Sequence, residues 1–191
     1  AAAALFPILA PTLNQPGVPY VMIGHSMGTW MLFETLKLLM SKGVALPAQV
    51  VVSSFPSPAI PVADRPWRPN KGMSDSAFKD ECRTWSVNEV VFSDGMWMKG
   101  PNYESLMRDD FTLFDAYEYE PAPAKIPVLI SAYYARDDKN VKRHHVNTWQ
   151  DLTSHGFKIE EVPGNHLFFY QYDVRNKWME RVLETMPDGF C

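Results

Sequence analysis

The feature that most restricts how this chain can fold is a series of short strands with no polar face. Tyr20–Ile23 is apolar at every position, Gln49–Phe55 (QVVVSSF) is a β-branched run without alternation, and Pro127–Ala132 repeats the pattern. Strands of this kind belong inside a parallel sheet with helices on both faces. Phe157–Val162 supplies a fourth strand. Helical spacing fills the gaps: after Gly28, the residues Trp30, Phe33, Leu36 and Met40 share a helix face that Gly43 closes. Further helices are predicted over Asp75–Phe92, Tyr103–Tyr117, Val141–Leu152 and, amphipathic, Val174–Met186. Strands alternating with helices give an α/β fold with a mostly parallel sheet. The 191 residues fit one domain, 1–191, with a mixed helical region at 66–117 inside it.

Composition excludes several functions. A net charge of −4 gives no attraction to nucleic acid or to an anionic membrane surface. No apolar run reaches membrane-spanning length. The opening AAAALFPILAP lacks the basic start of a signal peptide. Two cysteines, Cys82 and Cys191, are too few for a disulfide framework, so a reducing, cytoplasmic setting is expected. The spacing of histidines, cysteines and acids suggests no metal site, and no cofactor is expected.

The chemistry gathers at strand ends. GHSMG occupies residues 24–28, directly after Tyr20–Ile23. A G-x-S-x-G arises by chance in roughly one chain in twenty of this length, so its surroundings must decide. In open parallel sheets, ligands bind beyond the carboxyl ends of the strands. There the chain places Ser26 after the first strand, Asp137 and Asp138 after the third, and His166 (in PGNHLFFY) after the fourth. A serine hydroxyl needs a base to take its proton, and that base needs an acid to hold its tautomer. Asp137 and Asp138 are both candidates for the acid. Asp64, in a proline-rich loop beyond its strand, is a weaker one. His25 reads as packing beneath the turn, and His144, His145 and His155 as solvated.

With these residues in place, the chain resembles a type II thioesterase of the α/β-hydrolase superfamily. These accessory enzymes work beside polyketide and non-ribosomal peptide synthases. Besides GHSMG and GNHLFFY, the resemblance rests on SLMRDDFTLFDAYEYEPAP at residues 105–123, and it runs nearly end to end. The family's acid stands three residues before a valine and eleven before a tryptophan, which matches Asp138 with Val141 and Trp149. Cyclising terminal domains often carry the aspartate after the preceding strand, where this chain has only the serines of VVVSSFPS.

The resemblance implies a reaction: hydrolysis of an acyl thioester on the phosphopantetheine arm of an acyl carrier protein. Ser26 is the nucleophile, His166 the base, Asp138 its partner, and the Met27 amide an oxyanion donor. Residues 66–117 become a lid whose Trp67, Trp85, Met96, Trp97 and Met98 shape the acyl pocket. Two rivals remain at this point. An esterase or lipase shares the triad and differs only in its substrate. A non-catalytic binding module of the same fold would not react at Ser26. The resemblance also implies a second oxyanion donor on a glycine-rich loop near the start of the domain, and none precedes Tyr20. The expectation is therefore a C-terminal part of a longer domain, missing its first strands. Tyr20–Ile23 would then lie at a sheet edge and Met27 would be the only backbone amide facing Ser26.

Overall fold

The three apolar runs and Phe157–Val162 become four strands hydrogen-bonded in chain order, all parallel. A computed structural model describes residues 2–15, 17–98 and 102–186. In order come α1 (Ala2–Leu13), β1 (Val21–His25), α2 (Gly28–Lys42) and β2 (Gln49–Ser53). The insertion between β2 and β3 holds α3 (Asp75–Thr84), α4 (Asp94–Trp97) and α5 (Tyr103–Asp115). Then follow β3 (Leu129–Ala135), α6 (Arg143–Asn147), β4 (Phe157–Val162) and α7 (Tyr172–Glu184).

The two-sided apolar strands cover themselves as their pattern demands. On β2, Val50 and Val52 join the larger core with α2 and the insertion, while Val51 points to the opposite face and α7. Phe33, Leu36 and Leu39 of α2 are at most 1% exposed. Burial of each contributes roughly 1.5–3 kcal/mol. Gly43 ends α2 with a φ of 63°, a left-handed conformation that suits glycine. On the other face, Trp178 and Val182 of α7 pack with Tyr133 and Phe168. Among the described residues β1 pairs only with β2, so it forms one edge of the sheet, and Ile23 is 43% exposed.

Two predicted helices are shorter than their periodicity suggested. The helix expected over Asp75–Phe92 stops at Thr84, because Ser86 takes a φ of 65° and turns the chain into a short 3-10 segment at Glu89–Phe92. The helix expected over Val141–Leu152 is only α6 followed by a 3-10 turn at Thr148–Leu152. The Asp138 carboxylate accepts the N–H groups of Asn140 and Val141 at 2.9 and 3.0 Å, in the turn that precedes α6. Cys82 is a buried free thiol, pushed up by burial to about 12, and Cys191 lies outside the described residues.

Candidate active site

Ser26 stands where β1 turns abruptly into α2. Its φ is 52°, a left-handed conformation rare for residues other than glycine and one that a fold retains where it is held in place. Three contacts hold it. The Ser26 N–H donates to the Ser53 carbonyl at 2.9 Å, and the Ser26 carbonyl accepts the Thr29 N–H and hydroxyl at 2.9 and 2.8 Å. The turn also brings backbone against backbone at Gly24. A Cβ there would meet Thr29 Cα at 2.8 Å, so only glycine fits.

His166 reaches Ser26 from the loop after β4. Its Nε2 lies 2.9 Å from Ser26 Oγ, and its Nδ1 lies 2.7 Å from Asp138 Oδ2. Asp138 is ionisable, fully buried and acceptor-only as a carboxylate. The Nδ1 proton therefore belongs on the Asp138 side, which leaves Nε2 to accept the serine proton. Oδ1 of the same carboxylate is held by Asn140 and Val141, so neither oxygen is idle. Asp137 is exposed, and its N–H donates to the Gly164 carbonyl. That bond ties the loop after β3 to the loop after β4 and turns Asp138 inward. Asp64 lies exposed in a 3-10 turn at Val62–Asp64.

Around the three residues the environment is aromatic. The Trp85 ring meets His166 edge-on at 4.7 Å. His25 lies 5.2 Å from His166 on another side, clamped through Nδ1 to Ser53 Oγ at 2.7 Å. Burial first, and His166 second, push His25 down to about 3, so it stays neutral. The sequence reading of His25 as packing missed Ser53, which nothing local marks as its partner. His145 differs from the solvated reading. It is half-buried, accepts the Lys142 N–H on Nδ1, and is pushed down to about 4, mainly by burial. His144 and His155 are exposed.

The five aromatic and methionine positions of the insertion fall in different places. Trp85 touches His166, while Trp67 stacks on Phe55 at 5.1 Å and donates to Asp115. Trp97 is fully buried inside the insertion, donates to Asp75, and packs on Phe78 and Phe92. Met96 is half-buried and Met98 is 67% exposed. At the turn itself, none of the hydrogen bonds among the described residues uses the Met27 N–H, at the entrance to α2. No group of three metal-binding side chains occurs among the described residues, and no described helix is long and apolar enough to cross a membrane.

The thioesterase-domain family model matches residues 2–189. This chain belongs to the thioesterase domain family. Gramicidin S biosynthesis protein GrsT of Aneurinibacillus migulanus is 27% identical over 165 residues, 85% of this chain and 60% of the relative. The thioesterase chain thus spans about 60% of the length of the curated relatives it matches. Among solved structures, BorB, the type II thioesterase of the borrelidin cluster, superposes with a TM-score of 0.73 at 26% identity. That superposition covers 96% of this chain and 70% of BorB. YbtT, a type II thioesterase from the yersiniabactin pathway, gives a TM-score of 0.81 at 21% identity, covering 100% of this chain and 74% of YbtT. The thioesterase fold here is accordingly α/β-hydrolase-like, a parallel sheet flanked by helices.

Proposed function

We propose that this chain carries the catalytic serine, base and acid of a type II thioesterase that removes acyl groups from a carrier protein. The observation that carries the reading is the continuous relay from Ser26 Oγ to His166 Nε2 at 2.9 Å and from His166 Nδ1 to Asp138 Oδ2 at 2.7 Å. In this mechanism Ser26 Oγ attacks the thioester carbonyl as its proton moves to His166 Nε2. The new C–O bond gives a tetrahedral intermediate whose oxyanion takes the Met27 N–H. Collapse breaks the C–S bond, and His166 returns the proton to the leaving thiolate. Water, activated by the same imidazole, then releases the acid and restores Ser26. The helical insertion at 66–117 acts as a lid, with Trp85 forming its contact with His166.

The family match, together with BorB and YbtT being type II thioesterases of biosynthetic pathways, supports a thioester over a soluble ester. The test compares hydrolysis of acyl-carrier thioesters with that of matching oxygen esters. Faster turnover of the thioesters is expected, and the reverse order would make the protein an esterase. Ser26→Ala should abolish turnover with the fold intact, since a small side chain fits the turn. A variant that kept a tenth of the activity would remove Ser26 from the mechanism. Failure of a fluorophosphonate probe to label Ser26 would favour a binding module instead.

A further inference from the structure

The first helix of the insertion ends against both loops that carry the acid and the base. Thr84 is the last residue of α3 and Trp85 its C-cap, and each meets a different loop. Thr84 Oγ1 lies 2.8 Å from Asn140 Nδ2, in the loop after β3. The Trp85 ring meets His166 edge-on at 4.7 Å, in the loop after β4. The same two loops meet each other through the Asp137 N–H on the Gly164 carbonyl and through the Asp138–His166 pair.

The bond between Thr84 and Asn140 has a fixed direction. The Thr84 hydroxyl spends its single proton on the Glu81 carbonyl at 2.7 Å, so toward Asn140 it can only accept. Asn140 therefore presents its NH₂ group to Thr84, and the orientation of the amide is set. While that side chain is tied to the insertion, the backbone N–H of the same residue donates to Asp138 Oδ1 at 2.9 Å. The Val141 N–H donates to Oδ1 at 3.0 Å, and Oδ2 faces His166 Nδ1 at 2.7 Å. Hydrogen bonds thus run without a break from Thr84 through Asn140, Asp138 and His166 to Ser26. The backbone just beyond Thr84 is in an uncommon state. Ser86 takes a φ of 65°, with the Ser86 and Val87 N–H groups on the Arg83 and Cys82 carbonyls at 3.1 and 3.3 Å. A left-handed serine costs energy and persists where its surroundings hold it. It ends α3 at the two residues that touch the loops.

Resting on the thioesterase reading above, we propose that Thr84 and Asn140 are positioning residues for the reaction. They hold the Asn140 N–H on Asp138 and, through that carboxylate, set the His166 ring for proton transfer. In the transition state the base carries a positive charge that Asp138 must face. A carboxylate that loses one of its two backbone donors is held less firmly against Nδ1. The loss falls on kcat and not on KM, because the bond serves the proton transfer and not the binding. Its expected size is about threefold to tenfold, the worth of one ordinary hydrogen bond.

The experiment measures kcat and KM on the acetyl thioester of N-acetylcysteamine, per site titrated with a fluorophosphonate, so that misfolded protein is not counted. Thr84→Val keeps the shape and removes the hydroxyl, whereas Thr84→Ser keeps the hydroxyl and removes the methyl group. Thr84→Val should lower kcat with KM unchanged, and Thr84→Ser should keep the parent rate. Asn140→Ala should match Thr84→Val, and the double variant should be no slower than either, because all three lack the same bond. A packing role would reverse the order of the two Thr84 variants. That order, an unchanged kcat in Thr84→Val, or additive losses in the double variant would overturn the proposal. If the unmodified chain hydrolyses no thioester, the thioesterase reading fails separately. Amide hydrogen exchange at Asn140 then decides the positioning by itself. Faster exchange in Thr84→Val than in Thr84→Ser supports it, and equal exchange overturns it.

Discussion

At the scale of single residues, the deciding contrast is between two adjacent aspartates. Asp138 is fully buried on His166 Nδ1, whereas Asp137 is exposed and contributes its backbone N–H. Asp138→Asn should lower kcat by about four orders of magnitude, because an amide no longer specifies the productive tautomer. Asp137→Asn should change the rate little, since the backbone bond survives. A larger loss in Asp137→Asn, measured as kcat on the same thioester, would reverse the roles. His25 gives a stability prediction. Its folded value of about 3 lies below the ordinary 6.5, so below pH 6.5 the unfolded chain takes up a proton that the folded chain refuses. Stability should therefore fall as pH drops from about 6.5 toward 3, by at most about 1.4 kcal/mol per pH unit from this group. His145 adds to the slope in the same direction. Urea titrations of His25→Asn, whose amide can still bond Ser53, should show a shallower slope. An unchanged slope would mean that His25 charges freely in the native state.

At the scale of elements, the turn from β1 into α2 depends on one of its two glycines. A Cβ on Gly24 would press on Thr29 Cα at 2.8 Å, while one on Gly28 would meet nothing within 4 Å. Gly24→Ala should destabilise the fold by about 1–3 kcal/mol, the usual cost of overpacking against backbone that cannot yield. Gly28→Ala should be neutral or stabilising by up to about 1 kcal/mol through the unfolded state. Denaturant midpoints of the two variants check this, and equal losses would contradict the packing. The same elements show what could be read from sequence. The strands and α2 were legible because their apolar periodicity is local. The ends of α3 and α6 were not. Ser86 turns the chain at a φ of 65°, and Thr148–Leu152 closes as a 3-10 turn, at positions where the spacing of apolar residues carries no signal.

At the scale of the whole molecule, β1 forms a sheet edge among the described residues, with Ile23 43% exposed. Exposed apolar edges template further pairing. Ile23→Lys should therefore reduce concentration-dependent association of this chain, measured by light scattering. Association unchanged by the lysine would place the contact surface elsewhere. The larger scale also separates two kinds of information. The sequence by itself determined the parallel α/β class, the serine turn, the Ser–Asp–His order and their strand-end positions. Those follow from spacing along the chain and from glycine's backbone freedom, which are local. Only the tertiary structure decided that His25 is held by Ser53 and that the Asp137 N–H ties the loop after β3 to the loop after β4. Glu34 and Tyr117 meet across 83 residues of chain, and His166 meets Ser26 across 140. Contacts at such separations depend on how the sheet stacks its connections, which no periodicity within one segment encodes.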